Sequence, residues 1–191
     1  MRFDEFLERN GVSFTPVSHY DGYLVQVAVP PDWEEAIDTS SSATPVWIWR
    51  DGNGREPFCA NAVLTLAQTD APMDPAAAFA KLCEWQVQML PGVHEMRRDP
   101  AVGHAGPGVM GILELLINTD VGRLESMVMS CIIATDAYTL IAQLTLTVPI
   151  DSALERSRVG LGVIPSSEAP LASQQLPGAP AAPGAATVEV H

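Results

Sequence analysis

Between Tyr23 and Val29 the residues Tyr23, Val25, Val27 and Val29 alternate with Leu24, Gln26 and Ala28. Side chains of an extended chain point to opposite faces in turn, so this spacing predicts a strand. The same reading predicts strands over 46–50 ("VWIWR") and 60–68 ("ANAVLTLAQ"). The turn residues "DGNG" at 51–54 join these two in a hairpin-like connection, which Pro57 and Phe58 lengthen. A different period appears in "DPAAAFAKLCEWQVQMLPG". Phe79, Leu82, Cys83, Gln86 and Leu90 share one stripe of a helix, with Ala76 above them. Asp74 is placed to cap it, Pro75 suits its first position and Gly92 follows its end. Trp85 falls off the stripe, at its edge or partly in solvent. A short helix over 2–10 carries Phe3, Phe6 and Leu7 on one face and meets Gly11 as a stop.

After Pro91 the pattern returns to period two. "HEMRRD" (94–99) reads as a short polar strand, and a longer one follows over 109–118. "RLESMVMSCIIAT" and "AYTLIAQLTLTV" are two more, linked across Thr135, Asp136 and Ala137. Consecutive long strands with short links make an antiparallel meander. The unbroken apolar text of "GILELLI" and "SCIIA" calls for a sheet covered on both faces at its middle. "PIDSALERSRVGLG" reads as a last helix, with Ile150, Leu154 and either Arg158 or Leu161 marking its face. The expected fold is α+β: one antiparallel sheet of about six strands layered with helices. Residues 1–164 form this domain. The remainder, 165–191, is rich in Ala, Pro, Gly and Ser and reads as a disordered tail, its PxxP-like spacing a weak candidate for partner binding.

One junction stands out locally. In "VAVPPDWEEAID" Pro30 ends strand pairing because it has no N–H, and Pro31 holds Pro30 extended. Trp33 then covers the sheet end, or serves as a recognition anchor, and Asp32, Glu34, Glu35 and Asp38 keep the outgoing loop in water.

Charge narrows the partners. With 23 acids against 10 bases the chain carries a net charge of -13. Nucleic acid and anionic membranes both call for a basic surface, so neither is expected. No run of 18 apolar residues suggests a membrane span. The acidic start "MRFDEFLERNG" has no apolar signal core and no lipobox follows, so the expected location is cytoplasmic. Cys59, Cys83 and Cys131 have no zinc-like spacing and sit in apolar text, as buried thiols do.

"VAVPPDWE" before a strand pair, the helix "DPAAAFAKLCEWQVQMLPGV" and the meander ending in "TLIAQLTLTVP" resemble the LpqN/LpqT family of actinobacterial proteins. The resemblance covers roughly Gly22 to Gly162 and rests on layout and short motifs. It implies a PsbP-like fold, an antiparallel sheet between helices in an α/β/α sandwich. Many members carry a lipoprotein signal and sit on the cell envelope, which this N-terminus does not match. The family brings no catalytic motif and implies a binding or accessory role.

The residues themselves offer little chemistry. His19, His94, His104 and His191 lie in no GxSxG context and no HxxxH pair, so neither a triad nor a metal site is expected. "DGNGRE" begins like a calcium loop, but Gly54 and Arg55 break the ligand ladder. "GHAGPGVMG" precedes a strand, whereas a phosphate cradle opens a helix. Glu114 and Glu125 sit inside strands and could meet across a hairpin; two exposed sheet carboxylates are the simpler reading. No cofactor is expected. What remains is a candidate partner or ligand surface: Trp33, Trp47, Trp49, Trp85, Met127 and Met129. Trp47 and Trp49 share a strand face, as do Met127 and Met129. Either they are core, or they line an apolar sheet groove for a protein partner or apolar ligand. A non-enzymatic adaptor or chaperone is the leading expectation. The alternative is a small enzyme or ligand carrier whose site assembles only in the fold. A homodimer through an edge strand or the tryptophan pair is a further option.

Overall fold

The computed structural model describes residues 3–37, 46–52, 58–90, 92–102, 108–167 and 186–190. Helix α1 (Phe3–Arg9) is followed by strands β1 (Phe14–Pro16), β2 (Tyr23–Val29), β3 (Trp33–Ile37), β4 (Val46–Asp51) and β5 (Asn61–Thr69). Helix α2 (Pro75–Met89) leads into β6 (Val93–Val102), β7 (Gly108–Thr119), β8 (Gly122–Ala134) and β9 (Thr139–Pro149). A 3-10 turn at Arg156–Arg158 precedes β10 (Gly160–Pro165), and β11 (Ala186–Val190) comes last. The main sheet has the order β3-β4-β5-β9-β8-β7-β6, with β1 pairing beside β5; a small sheet has the order β10-β2-β11. The pairs are antiparallel.

The meander is the middle of the main sheet, as its apolar text required. In β8 every residue from Val128 to Ile133 is buried. Val128 and Ile132 face the helices together with Leu113, Leu115, Phe79 and Leu82. Met129, Cys131 and Ile133 face the small sheet together with Val25, Val27, Val29 and Leu161. Helix α2 rests on β6, β7 and β8. Its Phe79 ring sits directly over Gly111: a Cβ there would lie 2.3 Å from Cε2 of Phe79. Gly111 is required by space, because no side chain fits beneath the ring.

Hydrogen bonds set the entry of α2. The buried Thr69 hydroxyl accepts from Thr139 N–H at 2.9 Å and donates to the Ala71 carbonyl at 2.7 Å. Thr139 Oγ1 accepts from Met73 N–H at 2.8 Å. Asp74 then caps the helix by accepting from Ala76 N–H at 3.1 Å. On the opposite face, the buried Tyr20 hydroxyl donates to the Ala67 carbonyl at 3.2 Å. Burial raises its pKa well above the usual phenol value.

The α+β class is borne out, and four details change. The two faces of the main sheet are covered by different materials: helices on one, the small sheet on the other. The layering is therefore α/β/β, and the strands exceed six because of short pairs at the periphery. The helix expected over 149–162 is a single 3-10 turn followed by β10. Gly160 and Gly162 each disfavour a helix by about 1 kcal/mol. Val159, Leu161 and Val163 fit period two instead, with Val159 and Leu161 buried. Glu34 and Glu35 belong to an edge strand rather than a loop, Glu34 pairing with Arg50 and Glu35 with Trp49, while Asp38 lies outside the described residues. Charged side chains are common on such edges because they discourage further pairing. Finally, the tail is not disordered throughout, since residues 186–190 pair with β2; residues 168–185 lie outside the described residues.

Gly111→Ala is expected to lose about 1–3 kcal/mol from overpacking beneath Phe79, measured by denaturant unfolding. Trp33→Ala is expected to lower the melting temperature, because Trp33 is buried in the layer between the sheets. An unchanged melting temperature with loss of a partner would assign Trp33 to recognition instead.

Candidate functional site

The antiparallel register lays two rows of side chains across the face of the main sheet that meets the small sheet. One row runs Glu114, Met127, Leu146, Ala62, Trp49. The next runs Ile112, Met129, Leu144, Leu64, Trp47. The sequence-predicted residues Trp47, Trp49, Met127 and Met129 thus lie in one layer, and Trp33 joins them. They are mostly core. Trp33, Trp49 and Met129 are buried, while Trp47 and Met127 are half-buried at its margin. Trp85 belongs to the other face, half-buried with its ring centroid 6.3 Å from that of Phe3.

The rows emerge from cover at their β7 ends. The small sheet reaches β8 and β9 through β10 and stops there. Ile112, Glu114 and Met127 are left half-buried, and Met96 on β6 is 58% exposed. Met96 stands at a register shift between Glu95 and Arg97. Such a bulge inserts one extra residue and re-aims a side chain, which is how Met96 comes to line the same hollow as Glu114 and Met127. The result is a shallow apolar groove between β6–β7 and the 3-10 turn. Its enclosed part holds only about 20 Å³, room for a single water.

Charged groups rim this groove in pairs. Arg156 of the 3-10 turn forms an ion pair with Glu125. Arg97 reaches Asp99 at 2.5 Å and Glu114 at 3.9 Å. The Asp99 hydrogen bond raises the Arg97 pKa further. Glu114 and Glu125 do share this face, as the hairpin suggested, but they are offset: Glu114 lies opposite Met127 and Glu125 opposite Leu116. Both line the groove, each beside an arginine.

Sequence reasoning missed Arg156, because that segment read as a helix. The signal for Met96 was present: a lone methionine in the polar strand "HEMRRD". Of the histidines, His94 is exposed on β6 and His19 stands 3.6 Å from Asp21 at the surface; His104 and His191 lie outside the described residues. A larger hollow of about 430 Å³ lies where Asp51 and Phe58–Ala60 meet Pro149, Asp151 and Ser152. It gathers none of the predicted residues.

The fold is shared with LpqN of Mycobacterium tuberculosis, a protein involved in cell envelope biogenesis. The match has a TM-score of 0.64 at 19% identity and covers 79% of this chain and 87% of that one. The resemblance drawn from "VAVPPDWE" and the capped helix is borne out at the level of the fold. A Bacteroides thetaiotaomicron protein overlaps 81% of this chain and 50% of its own at a TM-score of 0.43 and 12% identity, too distant to carry argument. No protein family model and no curated protein matches the chain. Among the described residues no helix is long and apolar enough to cross a membrane.

The cysteines take no part in the groove. Burial pushes the Cys83 and Cys131 thiols up to about 11. Both are therefore expected to resist a thiol reagent at pH 8 in the native protein and to react on unfolding. Mass spectrometry of the labelled chain checks this.

Proposed function

We propose that the protein is a non-catalytic binding protein that receives an apolar segment of a protein partner on the uncovered end of its main sheet. One observation carries the reading: Met96 stands 58% exposed in one hollow with half-buried Met127, where the small sheet ends. Methionine adapts to irregular apolar partners, and this group continues the core outward without a cover.

The size of the hollow favours a protein segment over a carried lipid or small molecule. Sites that enclose such ligands run to roughly 300–1,000 Å³, against about 20 Å³ enclosed here. The paired state of the rim supports a binding role over an acid–base one. Glu125 is engaged by Arg156 and Glu114 faces Arg97, so neither carboxylate is set apart as a base. A net charge of -13 favours partners with basic flanks by steering their approach. The shared fold with LpqN supports work in the service of the cell envelope, as an adaptor or chaperone for an envelope or secreted partner.

Met96→Glu tests the reading, since an exposed side chain can be changed at little cost to the fold. With wild type and variant as baits in the native host, a partner is expected on wild type and at least about tenfold depleted on the variant. Their melting temperatures are expected to agree. Equal retention by both baits would remove the groove from consideration.

A further inference from the structure

Strand β2 is the centre of the small sheet, and its two neighbours are held differently. β10 pairs with one edge, from Gly160 opposite Ala28 to Pro165 opposite Tyr23. It also packs onto β8 and β9, with Leu161 buried between the sheets. β11 pairs with the other edge, from Ala186 opposite Val29 to Val190 opposite Val25. Among the described residues its one extensive neighbour is β2. The attachment of β11 is therefore a main-chain ladder, which any extended polypeptide can supply.

β10 and β11 both run antiparallel to β2, hence parallel to each other. The chain leaves β10 beside Tyr23 and must return to the Val29 end before β11 begins. That return is about 20 Å along the strand and about 10 Å across two strand spacings. The connection, residues 166–185, could reach roughly 66 Å if extended. It is dominated by Ala, Pro, Ser and Gly, which supply little to pack. β11 is thus joined to β10 by a connection of ample length, and its pairing with β2 is intramolecular.

We propose that the outer edge of β2 is a strand-addition site for an extended segment of a partner protein, and that β11 is its tethered occupant in the unpartnered molecule. The occupant shows what the edge accepts. "ATVEV" places Ala186, Val188 and Val190 in register with Val29, Val27 and Val25, the β2 residues buried against the main sheet. Thr187 and Glu189 lie in register with Ala28 and Gln26. The partner segment therefore carries small or β-branched apolar residues at alternate positions, with polar residues between them. Main-chain pairing supplies the affinity and the alternate side chains supply the selection. This site is separate from the groove over β7, because β10 lies between that groove and the free side of β2.

The test uses the full chain and a fluorescent peptide with the sequence of residues 183–191. Val188→Pro puts a fixed φ and a missing N–H at the middle of the five-residue β11 and should empty the edge. It is expected to bind the peptide at least about tenfold tighter than wild type, because the tethered competitor is gone. A peptide with proline at the Val188 position should not bind. As a second variant, Gln26→Cys with Glu189→Cys joins residues that lie opposite each other. Their Cα separation of about 4.5–5.5 Å in such a pair suits a disulfide. Oxidised, this variant should refuse the peptide even at millimolar concentration; reduced, it should bind as wild type does. Equal affinity of wild type and Val188→Pro, or undiminished binding by the oxidised variant, would overturn the proposal. So would a wild-type dimer that Val188→Pro dissolves, since that would assign the edge to a second copy of the chain.

Discussion

The six residues Val128 to Ile133 of β8 are buried on both faces of the main sheet, and the rest of the architecture follows from supplying two covers for them. On one face the cover is α2, seated where Gly111 leaves room for the Phe79 ring. On the other it is β2 and β10, whose valines and Leu161 close over Met129, Cys131 and Ile133. A helix and a two-layer sheet contact have different footprints. The helix spans β6 to β8, whereas the small sheet extends toward β9, β5 and the tryptophans of β4. The two covers are therefore offset across the sheet, and on the small-sheet side Met110 and Ile112 of β7 are only half-buried. The groove at Met96 and Met127 is the place where one cover ends before the apolar surface does.

The polar groups near that margin are engaged with one another. Arg156 with Glu125, and Arg97 with Asp99 and Glu114, ring an apolar floor. Ion pairs at a solvent-facing rim contribute little to stability. Their larger effect is on recognition: a partner must either keep these pairs intact at the rim or replace both halves, which restricts which segments fit.

Much of the fold was legible because local signals and tertiary placement agreed. Asp74, Pro75 and the stripe through Phe79 and Leu82 set α2, and the period-two runs of β7, β8 and β9 set the meander. Legibility failed where pairing is made at long range. β10 alternates over only a few residues, and its partner lies more than a hundred residues away in β2. β3 carries Glu34 and Glu35 on a sheet edge, and acids resemble a loop to any local reading. For the site, the reading found the right face and the wrong end of it. Tryptophan drew attention to Trp33 and Trp49, which are core, while the exposed member is Met96. Whether a large apolar residue is covered depends on where the opposing layer stops, and no local pattern records that. The "VAVPPDW" junction shows the same limit. Its prolines do end β2, but the turn, in which Trp33 N–H donates to the Pro30 carbonyl at 3.1 Å, also hands the chain from the small sheet to the edge of the main one.

The pairing of β2 with β10 and β11 has a consequence for how the chain is made. Synthesis delivers β2 (Tyr23–Val29) long before either of its partners, which start at Gly160 and Ala186. The main-sheet strands β5 to β9 can assemble as they emerge, since their neighbours arrive in close succession or complete the ladder by residue 149. Val25, Val27 and Val29 must wait, and the sheet face that they cover waits with them. Until β10 and β11 emerge, the nascent chain therefore holds a hydrophobic segment without its permanent neighbours, the kind of surface that makes an incomplete fold prone to aggregate.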